Sequence, residues 1–134
     1  MADLTITAAN VIRGANAVIT RGTAGAAITA GQIIYADAND AFQLADADAF
    51  AAGVTEVFMA LNGAATGQPV TALKSGDVAL GAILTAGSAY YLSGTAGGIM
   101  PAADLTTGDE VVQLGLASST TTLQFRPALP GVEL

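Results

Sequence analysis

The sequence contains no cysteine and no histidine, and only 5% of its residues are aromatic. Without cysteine, a disulfide framework and thiolate chemistry are excluded. The lack of histidine removes the commonest general base and metal ligand. An activated serine would need Lys74, the single lysine, as its base, and aromatic walls for a hydrolytic cleft are scarce. We therefore expect that the protein is not an enzyme and carries no cofactor.

Positive charge is also scarce. The basic residues are Arg13, Arg21, Lys74 and Arg126, against 11 acidic residues, which gives a formal net charge of -7. Four cations cannot build the phosphate-neutralising surface that nucleic-acid binding requires, so we expect no nucleic-acid partner. Every apolar run is shorter than the roughly 20 residues of a membrane-spanning helix. The N-terminal stretch has an acid where a signal peptide has a base, so we expect neither a membrane anchor nor a signal peptide.

The residues that are present indicate a β-protein. Short runs rich in Val, Ile, Thr and Tyr alternate with Gly, Asn and Asp, with turns every 8 to 12 residues. Strands are predicted at 4–7, 16–22, two within 31–45, and at 54–61, 68–73, 78–84, 88–93, 111–118 and 120–127, with 99–102 leading out of the turn that follows 88–93. Turns or loops are predicted at 37–40, 62–67, 74–77 and 94–98, a loop or one helical turn at 103–110, and one helical turn at 46–53.

This pattern predicts a single all-β domain over residues 1–134. Its architecture would be a compact β-sandwich or jelly-roll-like fold, or a small β-barrel, with at most one or two short helical turns. Hydrophobic residues make up 52% of the chain, but many of them are alanine. A core of small aliphatic side chains favours a thin two-layer fold, one that can complete its burial against another chain.

Two segments have the same rhythm. Residues 28–48 and 84–104 each open with an aliphatic residue followed by Thr-Ala-Gly, then a tyrosine four positions after the glycine, then a turn. A duplicated hairpin would explain this. In the second segment we interpret Gly94 to Gly98 as a hairpin corner and not a phosphate loop, because the Walker and dinucleotide spacings are absent. Tyr90 and Tyr91 are adjacent, so a strand would bury one ring and leave the other at the surface.

The acidic cluster has two interpretations. Asp37, Asn39, Asp40, Asp46 and Asp48 suit turns and caps, but they could also form half of a calcium site, because calcium takes oxygen ligands from loops. An EF-hand loop would need a ligand where Ala41 stands, which favours the turn interpretation. Pro69 donates no backbone hydrogen bond, so it should lie on an edge strand or begin its strand.

Several phrases in the second part of the chain resemble a known family. These are Gly53-Val54, "TGQPVTALKSGDVAL" at 66–80, "TAGSAYYLSGTAGG" at 85–98 and "GDEVVQLGLA" at 108–117. In this order they resemble the small bacteriophage capsid decoration proteins, also called cement proteins, over roughly residues 28 to 126. Thr55 departs from the alanine that is common in the family.

The resemblance implies a structural virion protein with no catalytic residues. Such a protein binds the outer surface of an icosahedral phage capsid, bridges major capsid subunits and stabilises the mature head, as a homo-oligomer (trimer or dimer). Extended arms are expected at about 1–12 and 126–134. Two alternatives stay open. One is a head- or tail-fibre module for host-surface attachment, and the other is a calcium-dependent carbohydrate-binding β-sandwich built on the acidic cluster.

Overall fold

The computed structural model describes residues 3–47, 50, 54, 56–105 and 107–129. These residues form ten β-strands and two 3₁₀ helices, so the predicted all-β class is confirmed. The strands are β1 (Ile12–Arg13), β2 (Val18–Ala24), β3 (Ile33–Ala36), β4 (Ala41–Leu44), β5 (Phe58–Ala60), β6 (Pro69–Ala79), β7 (Ala89–Leu92), β8 (Ile99–Pro101), β9 (Gln113–Ala117) and β10 (Thr122–Ala128); the 3₁₀ helices are Ala8–Asn10 and Ala102–Asp104.

The predicted hairpins are confirmed. Strands β3 and β4 pair antiparallel around the turn at 37–40, and β9 pairs with β10 in the same way. Asp40 lies at φ 61, the left-handed conformation that Asx residues tolerate in such turns. Pro69 is the first residue of β6, where its missing N–H costs no ladder hydrogen bond.

Three local predictions are wrong, and one of them is the separate strand at 78–84, because β6 ends at Ala79 and residues 80–84 belong to no strand. Residues 4–7 form no strand, although Leu4 and Ile6 are half-buried and Thr5 and Thr7 exposed, as the alternation predicted. Leu4 N–H donates to Ile99 O at 2.8 Å, and among the described residues this is the only backbone hydrogen bond that joins 4–7 to a strand. The alternation of apolar and polar residues at 4–7 therefore predicted which side chains are buried, but it did not predict that the segment lacks strand pairing.

The predicted turn at 74–77 is the third error, because β6 runs through it without reversing. The register changes between Ile19 opposite Leu73 and Val18 opposite Ser75, which leaves an extra residue in β6. Gly76 follows at φ 115. Such a β-bulge bends and twists a strand. The turn-forming residues at 74–77 therefore lie where β6 changes partners: it pairs with β2 and β5 before the bulge and with β1 and β10 after it.

The predicted helical turn at 46–53 stays a prediction, because residues 48, 49 and 51–53 lie outside the described part of the chain. The predicted N-terminal arm is described from residue 3. There Leu4, Ile6 and Val11 pack against the larger of the two clusters of buried apolar residues, which we call the main core.

Five strands close into a barrel. Around the ring, β2 pairs with β6, β6 with β5, β5 with β3, β3 with β4, and β4 with β2. The closing pair, Thr23 opposite Ala41, is parallel, whereas the other four are antiparallel. Because the ring closes, each of these five strands pairs with a neighbouring strand on both of its edges. Buried apolar side chains from all five strands fill the barrel, and Phe42 meets Phe58 edge-on at 5.6 Å between ring centroids.

The remaining strands repeat the order of the barrel. The five barrel strands can be counted from first to fifth in chain order, from β2 to β6. Around the barrel they then follow the order first, fifth, fourth, second, third (β2, β6, β5, β3, β4). In the second unit the same order recurs as β6, β10, β9, β7, β8. The strand β6 serves both units. The duplicated hairpin predicted from residues 28–48 and 84–104 is therefore part of a larger repeat, in which β3 (Ile33–Ala36) corresponds to β7 (Ala89–Leu92).

The second unit remains an open sheet in the described part of the chain, because β8 does not pair with β6. Its inner face packs against the outside of the barrel. The main core takes Ile33, Met59 and Leu73 from the barrel, and Leu123 and Phe125 from the second sheet, all fully buried. The result is a barrel covered on one side by a sheet.

Candidate functional site

The acidic turn of the β3–β4 hairpin is internally satisfied. Asp37 Oδ1 accepts hydrogen bonds from the backbone N–H of Asn39 at 2.8 Å and of Ala41 at 3.0 Å. Asp37 Oδ2 accepts one from Gln43 Nε2 at 3.0 Å. The bond from Gln43, followed by those from Ala41 and Asn39, holds the pKa of Asp37 below its usual range. Turn formation therefore accounts for this aspartate.

The fold separates the acidic residues that the calcium interpretation groups together. Asp37 and Asp40 lie at the turn, whereas Asp46 lies beyond the far end of β4, whose four residues span about 13 Å. Asp48 lies outside the described residues. In the described part of the chain, no three His, Cys, Asp or Glu side chains form a group able to hold a metal ion.

The glycine turn at 94–98 joins the two units. Gly97, at φ 77, donates its N–H to Ala45 O at 2.7 Å, and its carbonyl accepts from Ile33 N–H at 2.9 Å. Ser93 O accepts from Ala47 N–H at 3.0 Å. Because these backbone groups are engaged, the N–H of Gly97 is not available to a phosphate. The predicted hairpin corner is confirmed, and it also fastens the second sheet to the barrel.

The tyrosine pair divides as predicted. Tyr90 is buried, and its hydroxyl oxygen accepts a hydrogen bond from Thr85 N–H at 2.8 Å. Tyr91 is half-buried on the opposite face of β7. Neither ring belongs to a stacking platform, which would need aromatic side chains on one face at i and i+2.

The single lysine forms an ion pair. Lys74 Nζ lies 3.5 Å from Glu56 Oε2, and both side chains are about half exposed. With Val18, Arg126 and Leu129, they line an open groove of about 450 Å³. The charges of Lys74 and Glu56 therefore cancel within this groove, and Arg126 adds one further positive charge.

A second groove, which we call the arginine groove, lies beside β1. It has a volume of about 420 Å³, and its lining consists of Val11, Ile12, Arg13, Arg21, Leu61, Asn62 and Thr71. Arg13 and Arg21 are exposed, and in the described residues neither forms an ion pair. Ile12 has an exposed fraction of 62%, the highest among the large apolar side chains described. Exposed apolar surface beside two available guanidinium groups can bind a carboxylate-bearing protein surface.

The arginine groove was missed in the sequence because the four cations look scattered there. Arg13 and Arg21 are eight positions apart, with the irregular segment 14–17 between them. They line one groove because β1 and β2 lie along the same edge of β6, with Arg13 opposite Val78 and Arg21 opposite Thr71. The two arginines lie in one groove because β1 and β2 both pair with β6, one on each side of its bulge.

The second sheet also leaves one face uncovered. Leu123 and Val78 are paired and point into the core, so the residues next to them along each strand point outward. These outward residues form what we call the outer sheet face, made of Ile12, Ala79, Thr122, Gln124, Leu116 and Ala89. Asp77, paired with Gln124, is a charged residue on this side of the sheet, and so is the exposed Arg126, which follows the buried Phe125 on β10.

No protein-family model matches the chain, and no curated protein sequence is significantly similar to it. The described residues also include no helix with the length and apolar character needed to cross a bilayer.

Proposed function

We propose that this protein is a structural virion protein that binds the outer surface of an icosahedral phage capsid. In this proposal it contacts the major capsid protein, bridges neighbouring capsid subunits and stabilises the mature head. The observation that carries the proposal is the arginine groove. In a chain of net charge -7, Arg13 and Arg21 are available to carboxylates of another protein, and the exposed Ile12 lies beside them.

The energetics suit a protein present in many copies. Rim ion pairs contribute about 0–1 kcal/mol each, and complete burial of an isoleucine side chain contributes about 1.5–3 kcal/mol. A single arginine groove therefore gives modest affinity, and bridging two neighbouring subunits would raise it through effective concentration. Binding at such a rim should weaken as salt concentration rises.

The body of the protein also supports the proposal. The closed barrel and its dense backbone pairing give a rigid scaffold. Many surface residues are Ala, Gly, Ser or Thr, which lose little side-chain entropy when a surface docks. We include in the proposal that the protein is not an enzyme, since the chain has no histidine or cysteine and its lysine is paired with Glu56.

The test is binding of the purified chain to expanded capsids from the encoding phage, stripped of their decoration proteins. We expect cosedimentation at hundreds of copies per particle and a higher capsid melting temperature. The variant Arg21→Glu should weaken binding by about tenfold or more, as expected for charge reversal of a contacting arginine. The matched variant Arg126→Glu makes the same reversal outside the arginine groove and should bind like the wild type.

The proposal fails if the wild type neither cosediments with these capsids nor raises their melting temperature. A stoichiometry of a few copies to a few tens per particle would instead favour the fibre module. Equal losses for Arg21→Glu and Arg126→Glu would show that net charge, and not the arginine groove, determines binding.

A further inference from the structure

The groove beside Lys74, which we call the lysine groove, has apolar surface that the described residues leave uncovered. Its lining includes Val18, Glu56, Val57, Lys74, Arg126 and Leu129. Val57 is fully buried and Leu129 is half-buried. Val18 has an exposed fraction of 52%, which makes it one of the three large apolar side chains that are exposed in the described residues. A further segment of chain can therefore bury apolar surface here.

Two strands bring the apolar and the charged part of the lysine groove to opposite edges of β6. Val18 of β2 is paired with Ser75. On the other edge, Phe125 of β10 is paired with Gly76. The next residue of β10 is Arg126, which lines the groove together with Ser75. The small serine therefore lies between an apolar side chain and a guanidinium group.

The charges of the lysine groove leave one cation over. Lys74 is paired with Glu56 at 3.5 Å, whereas Arg126 is exposed and forms no ion pair within the described residues. Asp77, opposite Gln124, lies on the same side of the sheet, but it is not part of the groove lining. A carboxylate that enters the groove would therefore meet an available guanidinium group.

The chain itself carries such a carboxylate next to the groove. The described residues end at Leu129, and the sequence continues as Pro-Gly-Val-Glu-Leu over 130–134. Proline followed by glycine suits the two central positions of a type II turn. A turn centred on Pro130 and Gly131 would return Val132 to within about 7 Å of Leu129, which lines the groove. The sequence therefore favours a path back over the lysine groove.

We propose that residues 132–134 of the same chain cover the lysine groove. Two-residue alternation places Val132 and Leu134 on one side of an extended segment, where they pack against Val18. Glu133 then lies on the other side, at the rim, where the long side chain of Arg126 reaches its carboxylate. This contact lies within one chain and does not depend on capsid binding.

The short tether favours this occupant over a second copy. Because the segment begins at the edge of the groove, its effective concentration there is about millimolar or higher. Pro130 also restricts the conformations of the free segment, which lowers the entropy that is lost when the segment docks.

The test is methyl nuclear magnetic resonance of the full chain. We expect through-space contacts (nuclear Overhauser effects) between the methyl groups of Val132 or Leu134 and those of Val18, unchanged on dilution. A variant that combines Val132→Ser with Leu134→Ser should shift the methyl signals of Val18. The methyl signals of Ile12, which is exposed outside the lysine groove, should stay in place and serve as the internal control.

The ionic contribution is tested separately, with the methyl signals of Val18 as the readout. Glu133→Gln should lower the ratio of docked to undocked segment by about two- to fivefold, the effect of losing an exposed ion pair. Added salt should lower the same ratio in the wild type and have little effect in Glu133→Gln. The matched variant Asp40→Asn neutralises an acid in the β3–β4 turn and should leave the ratio unchanged.

The proposal is overturned if the Val18 signals do not respond to the combined serine variant, or if Glu133→Gln and Asp40→Asn have equal effects. Through-space contacts between labelled and unlabelled copies in a mixed sample would place the segment of a second copy in the groove and would also overturn it. Capsid binding does not enter these measurements, so a failure of this proposal leaves the proposed function standing.

Discussion

Ser93 Oγ donates a hydrogen bond of 2.6 Å to Oδ1 of Asp3, joining two residues 90 positions apart. Ser93 is fully buried, and the same Oγ accepts from Thr95 N–H at 3.0 Å. Together with the bond from Leu4 N–H to Ile99 O, these contacts fix the N-terminal segment beside β8. The start of the chain is thereby tied to the glycine turn that joins the two units.

Removing this hydroxyl should destabilise the fold. Ser93→Ala leaves Thr95 N–H and one oxygen of Asp3 without this partner, so we expect a loss of about 1–3 kcal/mol in the free energy of unfolding, measured with urea. The control Ser118→Ala removes an exposed hydroxyl whose contact with Thr122 O is 3.5 Å, and it should change stability by less than about 0.5 kcal/mol. A double-mutant cycle with Asp3→Ala should give a favourable coupling energy; purely additive effects would contradict the pairing.

The bend in β6 should depend on Gly76. A Cβ added there would lie 2.7 Å from Asn16 O and 2.8 Å from Ala17 Cα, at a φ of 115. Gly76→Ala should therefore cost about 3 kcal/mol or more, through backbone strain and a backbone clash together. Gly67→Ala carries strain alone, since at φ 89 its Cβ meets nothing within 4 Å. If urea denaturation gives the two variants equal losses, the close approach of segment 16–17 to β6 is incorrect.

The tyrosine pair predicts an asymmetric response to removal of a hydroxyl. Tyr90→Phe leaves Thr85 N–H unpaired in a partly buried position, so stability should fall by about 1 kcal/mol. Tyr91→Phe removes a hydroxyl on the opposite face of β7 and should be nearly neutral. Thermal melting of the two variants in parallel checks this, and a larger loss for Tyr91→Phe would reverse the assignment.

Acid should weaken the β3–β4 turn through Asp37. Its pKa in the folded protein lies below the ordinary value of 3.8, because the ionised carboxylate accepts three hydrogen bonds. A lowered pKa stabilises the fold at pH values above 3.8, and this contribution disappears as the pH falls through the folded-state pKa. Asp37→Asn should therefore melt below the wild type near neutral pH, and the difference should shrink on acidification below 3.8.

The matched variant Asp40→Asn removes a charge from the same turn and keeps a residue that tolerates the left-handed conformation. It should melt close to the wild type near neutral pH, because these hydrogen bonds remain. A difference between Asp37→Asn and wild type that stays constant or widens in acid would contradict the role of the Asp37 carboxylate.

Local features could be predicted where the cause is local. The turn at 37–40, the opposite faces of Tyr90 and Tyr91, and the position of Pro69 follow from side-chain chemistry and two-residue periodicity. The error at 74–77 has an equally clear reason. Gly76 at positive φ serves either a chain reversal or a bulge, and the choice depends on which strands lie beside it.

The candidate sites depended on long-range pairing. The arginine groove requires β1 and β2 on one edge of β6, and Arg13 and Arg21 give no sign of this in their spacing. The acidic cluster shows the reverse case. Its residues lie close together in the sequence, but β4 extends between Asp40 and Asp46 and holds them apart. The outer sheet face likewise needs the registers of four strand pairs before Ile12 and Leu116 fall on one surface.

By itself, the sequence determined that this chain is an all-β protein with a core of small aliphatic residues, glycine and Asx turns, and an acidic, histidine-free surface. Those properties follow from residue chemistry and from alternation over a few positions. Only the tertiary structure decided that five strands close into a barrel, that the strand order repeats, and that β6 belongs to both units. Hydrogen bonds between segments far apart in the chain set these features, and local periodicity carries no record of which partner a strand will take.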